Sequence, residues 1–311
     1  MNGLRWFNCL GILSSFLFAS CGSSDLPPAA GSLSANDPEA TAEFAAAQAA
    51  EASGNLGTAI KRYEEIADEH PYSEVAPQAR FRQAALLERR GELLEAFDAY
   101  QQFVENYQGS PLYLDALSNQ AVVAHAAADG IIKNSFLGIK SRLDNEKIVE
   151  MLAKVRDNAP RAPSAAKAQF AIGELWENKE RREEAIEAFQ LIVDDYSRSR
   201  LAPEAQYRIG TILLGQSSRG NRNKANLDKA RYAFEDLLQR YPNSARAGDA
   251  RTRIAEIETL NLQRNYDIAE FYYKKGEYAS AAFYFREVRR KAGRGPLYEK
   301  AGERLALIEA R

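Results

Sequence analysis

Candidate catalytic and metal-binding side chains are few in this 311-residue sequence. It contains two histidines, His70 and His125, and neither has a second ligand at the spacing of a metal site. No nucleophile elbow, phosphate-binding loop or dinucleotide fingerprint is present. Paired carboxylates such as Asp194 and Asp195 fall near the ends of amphipathic helical patterns, where acidic residues are ordinary solvated surface. We therefore predict a protein that binds other molecules and has no catalytic residue, metal or cofactor.

Both cysteines, Cys9 and Cys21, lie at the start of the chain. The stretch has one positive charge, at Arg5, and then an apolar run shorter than the roughly 20 residues of a membrane-spanning helix, so residues 1–20 are predicted to be a signal peptide. It ends in Phe18-Ala19-Ser20-Cys21, which resembles the lipobox of bacterial lipoproteins. The resemblance implies that Cys21 becomes the lipid-modified first residue. The alternative is an ordinary secretory peptide with an incidental cysteine.

Residues 21–37 are rich in Gly, Ser and Pro and show no periodicity, as expected for a flexible tether after an anchor. Gly22 follows the cysteine, which by analogy with enteric lipoproteins favours the outer membrane. Beyond Cys21 the chain has no cysteine, which excludes disulfides, thiolate metal sites and cysteine nucleophiles from the body.

Charge is distributed unevenly. The residues from Arg219 onward contain 20 Lys and Arg against 13 Asp and Glu, so this part carries +7 and the rest −9. Either this reflects an ordinary mixture of solvated helix faces, or the basic end is a docking face for an acidic partner or lipid headgroups.

An internal repeat is the strongest pattern. Residues of the same type recur 37 positions apart, as in Gly54, Ala59 and Tyr63 followed by Gly91, Ala96 and Tyr100. Helix-turn-helix units of tetratricopeptide (TPR) repeats have a period of about 34 residues and small residues at such positions. We predict an all-α, TPR-type solenoid of about six repeats between Pro38 and Ala292, with a C-terminal capping helix from Leu297 to about Ala310.

Residues 38–160 are assigned to repeats one to three and residues 161–311 to repeats four to six with the capping helix. An insertion at about 129–145 lengthens the third repeat. Its apolar residues either pack back on the body or form a partner site. A second insertion, between Leu214 and Asp228, is Gly/Ser/Asn-rich and is predicted to be a mobile loop.

The stretch from Asn265 to Phe285 shows the repeat most clearly. Ala269 and Ala281 allow two helices to approach closely, and Gly276 falls where the first helix must end. Aromatic residues here are predicted to fill the core.

The carboxy-terminal half resembles the BamD family, the TPR lipoproteins of the outer-membrane β-barrel assembly (BAM) machinery. The resemblance is sharp from Asp228 to Phe285 and rests on Tyr241-Pro242-Asn243-Ser244, the long helix that follows, and Ala269-Glu270-Phe271-Tyr272-Tyr273. BamD proteins usually have five repeats where six are counted here, and Lys291 to Pro296 lacks their Tyr-Pro closure.

This resemblance implies a lipid-anchored scaffold on the periplasmic face of the outer membrane. Its carboxy-terminal repeats would hold a BamA-like barrel insertase beside other BAM subunits, and its amino-terminal repeats would recognise the carboxy-terminal strands of unfolded β-barrel precursors. Nucleic acid is not an expected partner. The resemblance leaves the precise partner contacts open.

Two other classes of protein remain for comparison. A periplasmic TPR coordinator of cell-wall synthesis and envelope constriction has similar repeats, but would lack a lipobox and normally carries an amino-terminal coiled coil. A lytic transglycosylase with a helical solenoid needs a separate catalytic domain with an acid glutamate, and no span is left for one.

Overall fold

The computed structural model describes residues 37–130, 134–136, 139–141, 143–219 and 224–310, with only the backbone described at 134–136, 139–141, 217–219 and 224. Thirteen helices and two short strands occur within these residues. In chain order they are α1 (Pro38–Ala52), α2 (Leu56–Glu69), α3 (Ala76–Arg90), α4 (Leu93–Asn106), α5 (Tyr113–Ala128), β1 (Asn134–Phe136), β2 (Ile139–Ser141), α6 (Asn145–Asn158), α7 (Pro163–Asn178), α8 (Arg182–Asp195), α9 (Ala202–Arg219), α10 (Lys224–Arg240), α11 (Ala247–Lys274), α12 (Tyr278–Ala292) and α13 (Pro296–Glu309).

The helices form six consecutive pairs, from α1 with α2 to α11 with α12. Each helix packs against the next one along the chain, and α13 packs against α12. The predicted TPR-type solenoid of six repeats with a C-terminal capping helix is confirmed. The 37-residue register is visible in side-chain bonds, because the Tyr63 hydroxyl donates to Glu51 at 2.9 Å and the Tyr100 hydroxyl donates to Glu88 at 3.0 Å.

Small residues set the spacing within each pair. Gly173 in α7 lies against Phe189 in α8, and Gly210 in α9 lies against Phe234 in α10. Both phenylalanine side chains are fully buried. The close approach lets the two helices bury these rings between them, and burial of apolar surface is the main force that holds such pairs together.

The two predicted insertions behave differently. In the first, β1 and β2 form an antiparallel pair in which Asn134 faces Ser141, a short hairpin that the sequence did not indicate. The expectation that the apolar residues of this insertion pack on the body concerns side chains outside the described residues.

The predicted loop between Leu214 and Asp228 is mostly wrong. α9 continues to Arg219 and α10 begins at Lys224, which leaves only residues 220–223 outside the description. Leu227, which we expected in the loop, is buried in the core of α10 and α11. Tertiary packing of this leucine overrides the weak local preference of its polar neighbours.

The helix α11 serves two cores. Ala250 and Ile257, in its first half, pack with α10, whereas Ala269, near its end, packs with α12 and α13. With 28 residues and a rise of about 1.5 Å per residue, the helix is about 42 Å long. It ends where predicted, since Gly276 follows with φ of 80°, a conformation that glycine adopts without strain.

Candidate protein-binding surfaces

The predicted lipidation site, Cys21, lies outside the described residues, as do the predicted signal peptide 1–20 and all but the last residue of the tether 21–37. Among the residues that are described, no helix is both long and apolar enough to cross a membrane.

His70 joins the two helices of the first repeat. Its ring Nδ1 lies 3.0 Å from Asp37 and its Nε2 lies 3.9 Å from Glu43. Asp37 also caps α1 by accepting a bond from the Ala40 amide at 3.0 Å. That bond lowers the pKa of Asp37, and His70 adds to the effect. The contact between His70 and Asp37 joins residues 33 positions apart, and nothing in the sequence indicated it. Within the described residues there is no group of side chains that could hold a metal ion.

His125 lies on α5 and is half-buried. Burial lowers its pKa, with Asp129 opposing the shift and Lys167 adding to it. His125 and Glu174, which is on α7, line one cavity of about 790 Å³. Burial raises the pKa of Glu174. Titratable groups with shifted pKa values can mark an active site. Asp129 and Lys167 line the same cavity, so the arrangement is a polar patch in a groove.

An apolar trough runs beside this cavity where the first helices of repeats three and four, α5 and α7, contact each other. We define it by Leu114, Leu117, Val122, Ala162 and Pro163, which line a space of about 650 Å³. Leu114 is 74% exposed and Val122 is 55% exposed. Single exposed apolar residues are ordinary, but a lined concavity of this size falls in the range of ligand sites.

Three arginines line a second concavity, which shares Ala162, Pro163 and Lys167 with the trough. Arg161 belongs to the turn before α7, and Arg198 and Arg200 belong to the turn before α9, and together with Lys167 they line a concavity of about 870 Å³. We call Arg161, Arg198 and Arg200 the turn arginines. All three and Lys167 are exposed. The sequence search did not single them out, although Arg161 and Arg198 are 37 positions apart and so occupy the same place in successive repeats.

The paired carboxylates named from the sequence have ordinary roles. Asp194 accepts bonds from Gln190 at 3.0 and 3.1 Å on the exposed side of α8. Asp195 lines the concavity of the turn arginines. Neither of them forms a close pair with a nucleophile or a histidine among the described residues.

An ionic network joins repeats four, five and six. Glu204 in α9 accepts from Arg208 at 3.1 Å and from Arg246 at 2.5 Å, and Arg208 also donates to Glu177 at 2.6 Å. Burial would raise the pKa of Glu204, but the two arginines outweigh it and the pKa is lowered. Because Arg246 precedes α11, this network fixes the entry of the long helix relative to the fourth repeat.

Repeat six presents aromatic rings to solvent. Phe271 on α11 and Phe283 on α12 are 53% and 60% exposed. They are connected by Tyr272 and Tyr284, whose rings stack at 5.8 Å between centroids. Lys275 lies 4.7 Å from the centroid of Phe271. We call Phe271, Tyr272, Phe283 and Tyr284 the aromatic face.

The aromatic face is exposed because α11 extends beyond the core that it shares with α10. The hydrophobic core that α10 shares with α11 reaches no further along α11 than Leu260, and the last turns of α11 pack with α12 and α13 instead. The aromatic residues of this stretch were predicted to lie in the core. The prediction is right for Phe285, which is fully buried, and wrong for Phe271 and Phe283.

Comparison with known proteins agrees with this architecture. Residues 213–309 match the YfiO family, described as outer membrane lipoprotein. Residues 44–111 and 149–200 match a tetratricopeptide repeat family. The chain is an all-α TPR solenoid, and its last third matches the YfiO family model. The matched region contains the end of α9 and all of α10 to α13, so it includes the aromatic face, and the match confirms the resemblance to the BamD family that the sequence suggested.

Among solved structures, two are similar to the chain over nearly the whole of their own length. MamA from Desulfovibrio magneticus is 16% identical, with 67% of this chain and 98% of that chain covered and a TM-score of 0.31. A tetratricopeptide repeat protein from Parabacteroides merdae is 14% identical, with 87% and 98% covered and a TM-score of 0.32. No curated protein matches the chain.

Proposed function

We propose that this TPR protein is an outer-membrane lipoprotein and a scaffold of the β-barrel assembly machinery. The observation that carries the proposal is the YfiO match over residues 213–309, whose family is one of outer membrane lipoproteins. The TPR match in the preceding repeats supports a scaffold, because stacked helical repeats offer long surfaces for binding other proteins.

In this proposal Cys21 carries the lipid after removal of residues 1–20, and residues 21–37 tether the solenoid to the periplasmic face of the outer membrane. Stable attachment by lipid takes more than one acyl chain or an added protein contact. The solenoid then acts by binding partners and does not catalyse a reaction.

The aromatic face is the surface we assign to the barrel insertase. Exposed aromatic residues are enriched at protein interfaces, where they supply much of the binding energy. Phe271 and Phe283 are linked through the stacked rings of Tyr272 and Tyr284 in repeat six, inside the region that matches the YfiO family. The inner groove of the earlier repeats is left for unfolded β-barrel precursors, which are extended polypeptides suited to such a groove.

Affinity purification from detergent-solubilised membranes tests the proposal. A tagged chain is expected to recover a β-barrel protein that carries periplasmic repeats, together with other subunits of the assembly machinery. Changing both Phe271→Ala and Phe283→Ala should reduce this recovery strongly, since each removes an exposed aromatic anchor. Leu191→Ala is the matched control, because Leu191 is also an exposed apolar side chain, 43% accessible, but lies on α8.

Failure to recover any barrel protein with periplasmic repeats would overturn the proposal. Recovery of cell-wall synthases in its place would support the alternative, a periplasmic TPR coordinator of envelope constriction. Unchanged recovery with the double variant would leave the scaffold in place but remove the aromatic face as its docking surface.

A further inference from the structure

The turns between successive repeats lie together along one edge of the solenoid. Consecutive helices joined by short turns run antiparallel, so the first helix of each repeat begins at this edge. Two contacts agree with this. His70, in the first such turn, lies 3.0 Å from Asp37 at the start of α1, and Arg240 at the end of α10 donates to the Val193 carbonyl near the end of α8 at 2.7 Å. We call residues 70–75, 107–112, 159–162, 196–201 and 241–246 the inter-repeat edge.

The chain enters the solenoid at this same edge. Asp37 is the N-cap of α1, and it follows Cys21 by 16 positions, a length of chain that spans at most about 56 Å. This reach is several times the width of a helix, which is about 10 Å. A lipid on Cys21 would therefore hold the inter-repeat edge within reach of the membrane surface.

The turn arginines give this edge its charge. They are exposed, and none of them forms an ion pair within the part of the chain that the structure describes. Beyond its first turn, which contains Glu74, the edge has four arginines and no Asp or Glu. Turns at the opposite edge are mixed, since Glu92 follows Gly91 and Glu180 follows Lys179. The excess of positive charge is thus confined to one edge.

Carboxylates near the turn arginines do not cancel this charge. Asp195 lines the concavity together with the three arginines and Lys167, so four cations face one carboxylate. Asp157, at the end of α6, is paired with Arg156 at 2.7 Å. Glu204, at the start of α9, is held by the two arginines of the ionic network. The concavity therefore keeps a positive charge that attracts anions.

Exposed apolar side chains lie on or beside the same edge. Leu114, the second residue of α5, is 74% exposed, and Tyr72, in the first turn, is 44% exposed. Leu114 lines the apolar trough with Ala162 and Pro163, which adjoin Arg161. Basic residues combined with apolar ones that enter the boundary between headgroups and acyl chains are typical of proteins that lie on a membrane, and tyrosine is enriched at that depth.

We propose that the inter-repeat edge docks on the membrane surface, with the turn arginines bound to the phosphates of anionic phospholipid headgroups. Guanidinium groups bind phosphate oxygens in pairs and lose their hydration readily. Anionic lipid also attracts every Lys or Arg that comes close to the surface. A free phosphate ion would use the arginines but would leave Leu114 and Tyr72 in water.

The inference goes beyond the proposed function and rests on it in one respect, the lipid at Cys21 that brings the edge to the membrane. It adds an orientation for the solenoid. The helix α11 starts at the inter-repeat edge, and Phe271 lies 24 residues after its first residue, Ala247, or about 36 Å along the helix. The aromatic face therefore projects from the far end of α11, away from the docked edge.

Vesicle sedimentation tests the docking without the lipid anchor. The chain from residue 22 to 311, which contains every described element, is mixed with vesicles of phosphatidylcholine alone or of phosphatidylcholine with phosphatidylglycerol. It should bind the anionic vesicles at least about tenfold more tightly, because several basic residues contribute together. Salt should weaken this binding, since it screens exposed charges.

Charge reversal locates the surface. Arg161→Glu combined with Arg198→Glu should lower the affinity for anionic vesicles about tenfold or more. The matched control is Arg89→Glu combined with Lys179→Glu, which changes the charge equally at the opposite edge. Arg89 and Lys179 are also exposed and form no ion pair among the described residues. The control should bind nearly as the parent does, and thermal melting checks that each variant is folded.

A fluorescent label reports the orientation in the lipidated protein. The chain has no cysteine after Cys21, so Ser197→Cys and Ser53→Cys each introduce one labelling site. Ser197 is exposed on the inter-repeat edge, and Ser53 is exposed in the turn between α1 and α2, at the opposite edge. In anionic vesicles, lipids with a spin-labelled headgroup should quench a label at position 197 much more than one at position 53.

Four outcomes would overturn the inference. They are equal binding to neutral and anionic vesicles, an equal loss in the arginine variant and its control, and stronger quenching at position 53. The fourth is binding of a labelled polyglutamate peptide through the same arginines while anionic vesicles do not bind, which would assign the edge to an acidic protein.

Recovery of the barrel insertase from detergent-solubilised membranes is measured separately with the arginine variant. It should be unchanged, because the aromatic face is intact in that variant. Failure to dock on anionic lipid and failure to recover the insertase are therefore distinct results, the first against this inference and the second against the proposed function.

Discussion

Gly173 lies so close to Phe189 that a Cβ atom added to the glycine would stand 2.5 Å from Cε1 of the ring. The equivalent pair one repeat later, Gly210 with Phe234, gives 2.6 Å. Protein interiors are close-packed, and such a separation between carbons is not tolerated without movement. The spacing of the helices in repeats four and five therefore depends on the absence of a single methyl group.

We expect Gly173→Ala to lower the free energy of unfolding by about 1–3 kcal/mol, the usual range for overpacking a core. The matched control is Gly248→Ala in α11, where an added Cβ meets nothing within 4 Å. That change should leave stability nearly unchanged or raise it slightly, because alanine is the better helix former and Gly248 is the second residue of α11. Urea denaturation measures both. Stabilisation by both changes would show that Phe189 moves aside freely.

Ala281→Leu tests the packing of repeat six. Ala281 is fully buried with Ala269 and Phe285, so three added carbons must separate α11 from α12. The expected loss is about 1–3 kcal/mol. Ala279→Leu adds the same atoms to an exposed position of the same helix and should leave the melting temperature nearly unchanged. An unaltered melting curve for the first variant would mean that the helix register is different.

Cys21→Ala should abolish lipidation and release the protein from the membrane fraction. Cys9→Ala is the matched control, because residue 9 is predicted to be removed with the signal peptide and its loss should change nothing. Metabolic labelling with a radioactive fatty acid and membrane fractionation report the two results. Continued labelling of the Cys21 variant would disprove the lipobox prediction.

His125 should make the protein less stable in mild acid. Burial places its folded pKa below the unfolded value of about 6.5, so the unfolded chain takes up a proton first as the pH falls. Stability is therefore unaffected above about pH 6.5, falls as the pH drops below it, and stops falling below the folded pKa.

Urea denaturation across this pH range, with His125→Gln beside the parent, isolates the effect because His70 is present in both proteins. The parent should lose stability relative to the variant only as the pH falls below about 6.5. Parallel pH profiles would show that His125 is equally accessible to protons in both states.

The repeat architecture was predictable because small residues recur at a fixed interval. Gly173 and Gly210 mark the positions where two helices are in close contact, and Gly276 marks the end of α11. Each of these positions is restricted by backbone geometry alone, so a single sequence is enough to recognise it.

Other features were not predictable, because they depend on which helices and turns contact each other in the folded protein. Gly215 lies in α9 and Leu227 lies in α10. Both helices extend into the predicted loop because of packing that local composition does not reveal. The bond between His70 and Asp37 joins a turn to a distant helix cap. Exposure of Phe271 depends on where α10 ends relative to α11, and the grouping of the turn arginines depends on the alignment of two turns. In the last case the 37-residue step was a usable signal, because it equates Arg161 with Arg198.

The long helix α11 makes the last repeat a lever. Ile257, in the core shared with α10, and Phe271, on the aromatic face, are 14 residues apart on one rigid rod, or about 21 Å at the rise of an α-helix. A tilt of about 10° at the first core moves the far end by about 4 Å, roughly the width of a side chain. Small rearrangements in the fifth repeat thus become large displacements of whatever the sixth repeat holds.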